Sequence, residues 1–379
     1  MPLPPLVEPV AALSPAERER TARHTTLAGF GELAQRRLAA SRVAIVGAGG
    51  LGSPAVLALA AAGVGELIVI DDDDVEVSNL QRQVIHRRRD AGSPKVDGAV
   101  RAASDLSPET VVRPVRERLT AARAADLLWG AHLVLDGTDT FETRTVVAAA
   151  CEALGVPLVW GTVQEFDAQV TVFWSDPPAG VEPVVLADLY PPQAVGTLPT
   201  CAEVGVLGAL CLQVGSLMAT EAIKLLTGVG EPLLGRVLLI DALRARTREV
   251  PLRPSLATGA EPHRERRAVP GVGDAGDPAV PHLPATELST ALATGLTVLD
   301  VREPAETAAG TIAGALRHPL AEVLADPGAL GTGPFLVVCQ AGVRAERAAR
   351  ALIAAGVTAT VLEGGMDALP HLQDGAHAC

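Results

Sequence analysis

Aromatic side chains are scarce: three Trp, one Tyr and five Phe make up 2% of the 379 residues. A protein that holds single-stranded nucleic acid by stacking bases needs such platforms, so that class of binder is disfavoured. Cysteine is scarce as well, and five widely scattered thiols are too few to staple a chain of this length. Positive charge is in deficit. Thirty-one Lys and Arg against 44 Asp and Glu leave a net charge of -13, which excludes a general phosphate-backbone binder driven by counterion release. Any nucleotide must therefore be gripped locally. Uninterrupted apolar runs are missing too. The most apolar stretch, from Val204 to Leu226, is broken by Gln213, Ser216, Thr220, Glu221 and Lys224, and reads as a buried core helix rather than a membrane span. Met1 to Val10 is rich in Pro and carries no basic n-region with an apolar run behind it, so no secretory signal is expected. A cytoplasmic protein with free thiols follows, with neither membrane nor nucleic acid as partner.

What is present is the composition of a folded chain, with 48% hydrophobic and 20% charged residues. The length suits two or three domains. Short β-branched runs alternate with Ala-rich helical stretches: Val43 to Val46, Leu67 to Ile70 and Leu133 to Asp136 read as buried strands of a parallel, doubly wound α/β sheet. Gln169 to Trp174 and Arg236 to Asp241 read as later strands of the same domain. Between Arg253 and about Pro281 the chain is dense in Pro, Gly and charge, which reads as a linker. Beyond it, Leu296 to Val301, Phe335 to Val338 and Ala359 to Leu362 outline a second, smaller α/β domain. The expected division is 1–253, linker 254–281, and 282–379, with no internal repeat. Eight Arg against four acids between Arg236 and Arg267 read as a solvated basic flank.

Gly47-Ala-Gly49-Gly50-Leu-Gly52 directly follows the first strand and precedes the apolar run Ala55 to Ala62. Glycines admit close backbone approach and the following helix offers unpaired N–H groups, so the loop reads as a nucleotide site. Asp71, closing the next strand, suits the ribose of NAD and of ATP equally. The residues that follow discriminate. Ser78-Asn79-Leu80-Gln81-Arg82-Gln83 and then Pro94-Lys95 supply amide, guanidinium and ammonium groups suited to phosphate, for which hydride transfer has no need. Asp136-Gly-Thr138-Asp139-Thr140 leaves a carboxylate at the carboxyl end of a strand, where Mg²⁺ could be held against phosphates.

At these residues the chain, over roughly Arg20 to Leu252, resembles the ubiquitin-activating-type adenylyltransferases, which include the molybdopterin-synthase and thiamine-pathway adenylyltransferases. The resemblance implies a Rossmann-like adenylation domain with a mixed sheet, using ATP and Mg²⁺. It implies nucleotide contacts at Gly50 and Asp71, phosphate contacts at Asn79, Arg82 and Lys95, and Mg²⁺ at Asp139. The full expected set is Gly47, Gly49, Gly50, Gly52, Asp71, Ser78, Asn79, Leu80, Gln81, Arg82, Lys95, Asp139 and Thr140. Thr21-Ala-Arg23-His24 looks like the family's Tyr-x-Arg-(Gln/His) segment, which implies that Arg23 reaches the active site of the other subunit of a homodimer. A plain surface arginine is the competing reading. Pro199-Thr-Cys201-Ala-Glu203 resembles the crossover segment whose cysteine links covalently to the carrier in some members; a small buried hydrophobe is the equal alternative. Many relatives hold zinc with two Cys-x-x-Cys pairs. Gly180 to Tyr190 and Arg253 to Gly259 contain no cysteine, so no structural zinc is expected.

Cys339 follows an apolar strand and precedes the helical run Ala345 to Ala355. A thiol at a helix N-terminus, ringed by loop N–H groups and near Arg344, is set up to hold thiolate or persulfide, which requires an exposed, low-pKa sulfur. A buried structural cysteine is the bland alternative. Asp300-Val-Arg302-Glu-Pro304-Ala-Glu306, Gly310-Thr-Ile312-Ala-Gly314 and Leu362-Glu-Gly364-Gly365-Met366 tip the balance, because with Cys339 they resemble the rhodanese sulfurtransferases over nearly all of Pro281 to Leu369. That implies Cys339 as persulfide carrier and Arg344 as a hold on an anionic sulfur donor. Ala345 stands where many relatives have Ser. Cys379 sits in no motif and reads as a tail thiol.

Together the halves imply one pathway. A ubiquitin-like sulfur-carrier protein ending in Gly-Gly is adenylylated at its terminal carboxylate, and the Cys339 persulfide, charged by thiosulfate or a cysteine desulfurase, delivers sulfur to give a thiocarboxylate. The fusion resembles the bifunctional adenylyltransferase/sulfurtransferases of molybdenum-cofactor biosynthesis. A rhodanese half used only for docking and an NAD-dependent oxidoreductase are the alternatives.

Overall fold

The computed structural model describes residues 3–191, 205–254, 280–293 and 295–369. These fall into two compact units, one built from residues up to 254 and one from residues 280 onward. Most of the expected linker, together with Cys201 and Cys379, lies outside the described residues.

The first unit is built on eight strands: β1 (Arg42–Val46), β2 (Glu66–Ile70), β3 (Val111–Val115), β4 (Leu133–Asp136), β5 (Leu158–Gln164), β6 (Asp167–Phe173), β7 (Arg236–Asp241) and β8 (Arg246–Pro251). Their order is β3-β2-β1-β4-β5-β6-β7-β8; β1 to β5 run parallel and β6 to β8 antiparallel, which makes the sheet mixed. The central parallel strands are apolar on both faces because helices cover both, and β1, β2 and β4 are buried nearly throughout. The Gly52–Ala62 helix is apolar nearly all round since it lies between β1 and the Gly208–Thr227 helix. That second helix is long and apolar enough to cross a membrane by length and composition, yet over half of its apolar window is buried inside the protein. Of its interruptions, Gln213, Ser216 and Thr220 are exposed, and Glu221, buried, receives Lys224 Nζ at 2.6 Å and the Leu233 N–H at 2.7 Å.

The strands read from the sequence are all present. In this unit β3, β5 and β8 were not among them. β3 and β8 are the two edges of the sheet, largely exposed, so neither shows the apolar signature, and Pro114 is tolerated in β3 only because an edge strand need not donate on its outer side. β8 occupies part of the Arg-rich stretch that read as a solvated flank, with Arg236 on β7 paired to Glu249 across the register at 2.7 Å. β5 is interrupted by Gly161, where the Val214 and Met218 side chains of the Gly208–Thr227 helix press so close that a Cβ would collide.

The second unit is a five-stranded parallel sheet of β9 (His282–Leu283), β10 (Thr297–Asp300), β11 (Leu316–Arg317), β12 (Phe335–Val338) and β13 (Ala359–Leu362), in the order β11-β10-β12-β13-β9. The Val343–Ala354 helix buries Ala345, Ala348, Ala349 and Leu352, one stripe at helical spacing, against this sheet.

Candidate active sites

The loop after β1 is glycine for steric reasons. Gly47 has φ +89°, and a Cβ there would lie 3.0 Å from the Gly137 carbonyl; a Cβ at Gly52 would overlap the Gly47 carbonyl oxygen. With β2 and β4 on opposite sides of β1, connections leave the sheet in opposite directions, and a crevice opens at the carboxyl ends of these strands. It is a cavity of about 420 Å³, lined by Gly47, Gly49, Gly50, Asp71, Arg82, Lys95, Asp139 and Thr140 among others. The geometry thus brings together eight residues of the expected nucleotide set.

Charge in this cavity is organised by pairing. The Asp71 carboxylate accepts the Ala48 N–H at 2.7 Å and the Asp73 N–H at 2.9 Å. Burial raises its pKa, against the opposing pull of Lys95 and the two N–H groups. Lys95 is buried at the start of the Lys95–Leu106 helix, with Nζ 2.6 Å from Asp73. Asp72 and Asp74 are taken by Arg118 and Arg116, at 3.0 and 2.8 Å. Arg82 reaches the Ser78 carbonyl at 3.4 Å and forms no ion pair among the described residues, so its guanidinium remains available to an anion.

Gly52, Ser78, Asn79, Leu80 and Gln81, expected at the nucleotide, do not line the cavity. Gly52 serves the turn geometry just described. Ser78 donates to the Glu76 carboxylate at 2.9 Å, while Asn79 Oδ1 accepts the Glu76 N–H at 3.2 Å and caps its own turn. Arg23 is exposed on the short Ala22–Thr25 helix and does not line the cavity of its own chain.

Among the other lining residues are Gln83, which the sequence placed in its phosphate-suited segment but not among the expected contacts, and Cys211 and Arg144, which it did not point to. Gln83 directly follows Arg82, and its buried Oε1 has no hydrogen-bond partner among the described residues. Cys211 Sγ would lie 3.2 Å from a Cβ at Gly50. Arg144 is one turn into the Phe141–Leu154 helix, capped by Thr140, and this returns its guanidinium to the Thr138 carbonyl at 2.9 and 3.2 Å. It lies 5.6 Å above the Trp160 ring. Asp136, wholly buried, grips the same Thr138 through its N–H at 3.0 Å and its hydroxyl at 2.6 Å. The peptide preceding Asp139 is thereby held from both sides, and the helix spacing Thr140 to Arg144 is the only sequence signal that could have revealed it.

In the second unit, Cys339 directly follows β12 and the Val343–Ala354 helix begins four residues later. Cys339 Sγ accepts N–H groups from Gly342 at 3.1 Å and Ala345 at 3.4 Å, the cradle the spacing implied. The expected exposure is not found. Cys339 is 1% exposed, because the loop closes over the sulfur and the flanking motifs close over the loop. Arg302 is locked to Asp300 at 2.8 Å and reaches Gln340 at 3.1 Å, while Gln340 donates to Asp367 and the Met366 N–H binds the Cys339 carbonyl at 2.9 Å. Gly365 is needed at that contact, since a Cβ would strike the Cys339 carbonyl. Arg344 is not free for a donor: both of its terminal nitrogens bind Glu306, at 2.7 and 2.6 Å.

Residues 21–258, well over half the chain, match the ThiF family. The chain belongs to the ThiF family. Residues 284–369 match the rhodanese-like domain. A probable adenylyltransferase/sulfurtransferase, MoeZ of Mycobacterium tuberculosis, is 42% identical over 96% of this chain and 95% of its own length. A sulfur carrier protein adenylyltransferase of Thermus thermophilus is 44% identical over 62% of this chain and 88% of its own. The crystal structure of E. coli MccB with ATP matches at a TM-score of 0.53 and 20% identity, over 65% of this chain and 76% of that one, which speaks for the fold alone. This ThiF-family chain is an adenylyltransferase joined to a sulfurtransferase, and ATP is the substrate its first unit consumes. The oxidoreductase reading of the glycines is set aside, since it accounts for neither match.

Proposed function

We propose that the ThiF unit adenylylates the C-terminal glycine of a ubiquitin-like sulfur-carrier protein, and that the rhodanese unit then supplies sulfur to make the carrier thiocarboxylate. One observation carries the reading: Gly47, Gly49, Gly50, Asp71, Arg82, Lys95 and Asp139, drawn from five separated segments, line a single cavity at the switch point of the sheet.

A carboxylate is a poor electrophile, and a mixed anhydride with AMP gives it a leaving group. Asp71 accepts hydrogen bonds from the ribose hydroxyls. Arg82 and Lys95 lower the cost of charge gathering on the phosphates as a carboxylate oxygen attacks the α-phosphorus and pyrophosphate leaves. Lys95 exchanges its Asp73 contact for phosphate. A divalent cation fits Asp139, whose exposed carboxylate lines the cavity and has no hydrogen bond or ion pair among the described residues; Asp139 would hold it, and it would supply further neutralisation of phosphate charge. Arg23, whose side chain has no hydrogen bond or ion pair among the described residues, serves the cavity of a second copy in a homodimer.

In the second step the outer sulfur of the Cys339 persulfide attacks the acyl carbon and AMP departs. A thiol then opens the resulting acyl disulfide, releasing thiocarboxylate and leaving a disulfide with Cys339 that cellular thiols reduce. Cys201 is the candidate for that thiol. The domains run 1–253 and 282–379, joined by 254–281, in a cytoplasmic protein.

The test is ATP–pyrophosphate exchange with a carrier ending in Gly-Gly, followed by mass spectrometry of the carrier. Cys339→Ala keeps exchange and abolishes the gain of sulfur. Absence of carrier-dependent exchange overturns the first half of the reading. Undiminished thiocarboxylate in Cys339→Ala overturns the second and leaves the rhodanese unit a docking module.

A further inference from the structure

His86 belongs to none of the motifs above, yet it is buried directly behind the glycine loop. Its Nε2 lies 3.1 Å from the Ala48 carbonyl oxygen, which also accepts the Ser53 hydroxyl at 3.2 Å. A carbonyl only accepts, so the ring must carry its proton on Nε2 and donate. Nδ1 is buried with no hydrogen-bond partner among the described residues and faces Gly98, where a Cβ would strike it. The other end of the same residue is held as well, since the Ala48 N–H donates to Asp71 at 2.7 Å. Ala48 is therefore fixed at both its amide and its carbonyl.

The consequence falls on the next residue. The Ala48–Gly49 peptide is trans, so its C=O and N–H point in opposite directions. With the carbonyl turned inward to His86, the Gly49 N–H is turned away from it. That N–H donates to no protein acceptor among the described residues, and Gly49 lines the cavity. We propose that His86 is a positioning residue of the adenylylation site, which through Ala48 aims the Gly49 N–H at a phosphate oxygen of ATP. The inference rests on the reading of this cavity as an ATP site. Burial, with Lys95 and Arg101 nearby, lowers the ring's pKa against the opposing effect of the Ala48 contact and Asp90, which favours the neutral ring with its proton on Nε2.

The role predicts a phosphate-specific defect, which loss of packing alone would not produce. Equilibrium binding of ATP and of adenosine, which lacks phosphates, is measured on the full-length protein and on its His86→Leu and His86→Gln variants, with thermal unfolding alongside. His86→Leu is expected to bind ATP about tenfold more weakly, the scale of one buried hydrogen bond, with adenosine affinity unchanged. His86→Gln, whose amide N–H reaches the Nε2 position, is expected to recover most of the loss. Should His86→Leu not fold, His86→Asn against His86→Gln carries the same comparison, because only Gln is long enough to reach Ala48. Equal loss of ATP and adenosine affinity, no loss in a folded Leu or Asn variant, or no rescue by Gln overturns the proposal. Failure of the unmodified protein to bind ATP instead overturns the adenylylation reading on which it rests.

Discussion

Glu306 holds Arg344 through two charge-assisted hydrogen bonds of 2.6 and 2.7 Å, across 38 residues of chain. Each partner shifts the other: Arg344 holds the Glu306 carboxyl below the ordinary glutamate value, and Glu306 raises the pKa of the guanidinium. An anion approaching Cys339 therefore meets an arginine whose charge is already matched. Thiosulfate is accordingly expected to be a poor donor for the unmodified protein. Glu306→Gln frees the guanidinium and should lower KM for thiosulfate about fivefold, ~1 kcal/mol, as read by persulfide formation on Cys339. An unchanged KM would show that Arg344 does not face the donor.

The same pair makes stability depend on pH. A carboxyl whose folded pKa is depressed contributes stability above its unfolded value of about 4.3, and that contribution is lost as pH falls through the folded value. Thermal unfolding followed from pH 7 to 3 should show a smaller decline below that point in Glu306→Gln than in the unmodified protein. Parallel curves would show that the pair contributes nothing.

Along the glycine loop the consequences of an added methyl group should be graded. Gly52→Ala drives Cβ into the Gly47 carbonyl and Gly50→Ala places it 3.2 Å from Cys211 Sγ, whereas Gly49→Ala meets only the flexible end of Gln83 at 3.5 Å. Unfolding temperature should fall most in the first and least in the last, with overpacking costing ~1–3 kcal/mol in the worst case. Adding Cys211→Ala should restore Gly50→Ala and leave Gly52→Ala unchanged; rescue of both would refute the steric assignment.

Arg144 and Asp136 act on one residue, Thr138, and should behave as a coupled pair. Burial already raises the Asp136 pKa, with Arg144 the main opposing influence. Arg144→Met leaves that carboxyl without a countercharge and the Thr138 carbonyl without its donor, at a cost of ~2 kcal/mol. Asp136→Asn in the same chain should cost less than it does alone. Additive losses in urea unfolding would mean the two do not communicate through Thr138.

Much of this was legible in the chain because it is local. An apolar run, then glycines, then a helix specify strand, turn and helix within about twenty residues, and Asp71, Arg82, Lys95, Asp139 and Cys339 were legible because their motifs are short and ordered. The edge strands β3 and β8 were not, since an edge exposed to water needs no apolar pattern to be read.

What only the tertiary structure decided is how groups far apart in the chain divide their partners. Asp73 takes Lys95, Glu306 takes Arg344, and His86 takes the Ala48 carbonyl, 22, 38 and 38 residues apart. Composition and spacing establish which charges and donors exist. Which of them stay open to a ligand depends on distances of about 3 Å that appear only when the strands and helices bearing them have packed.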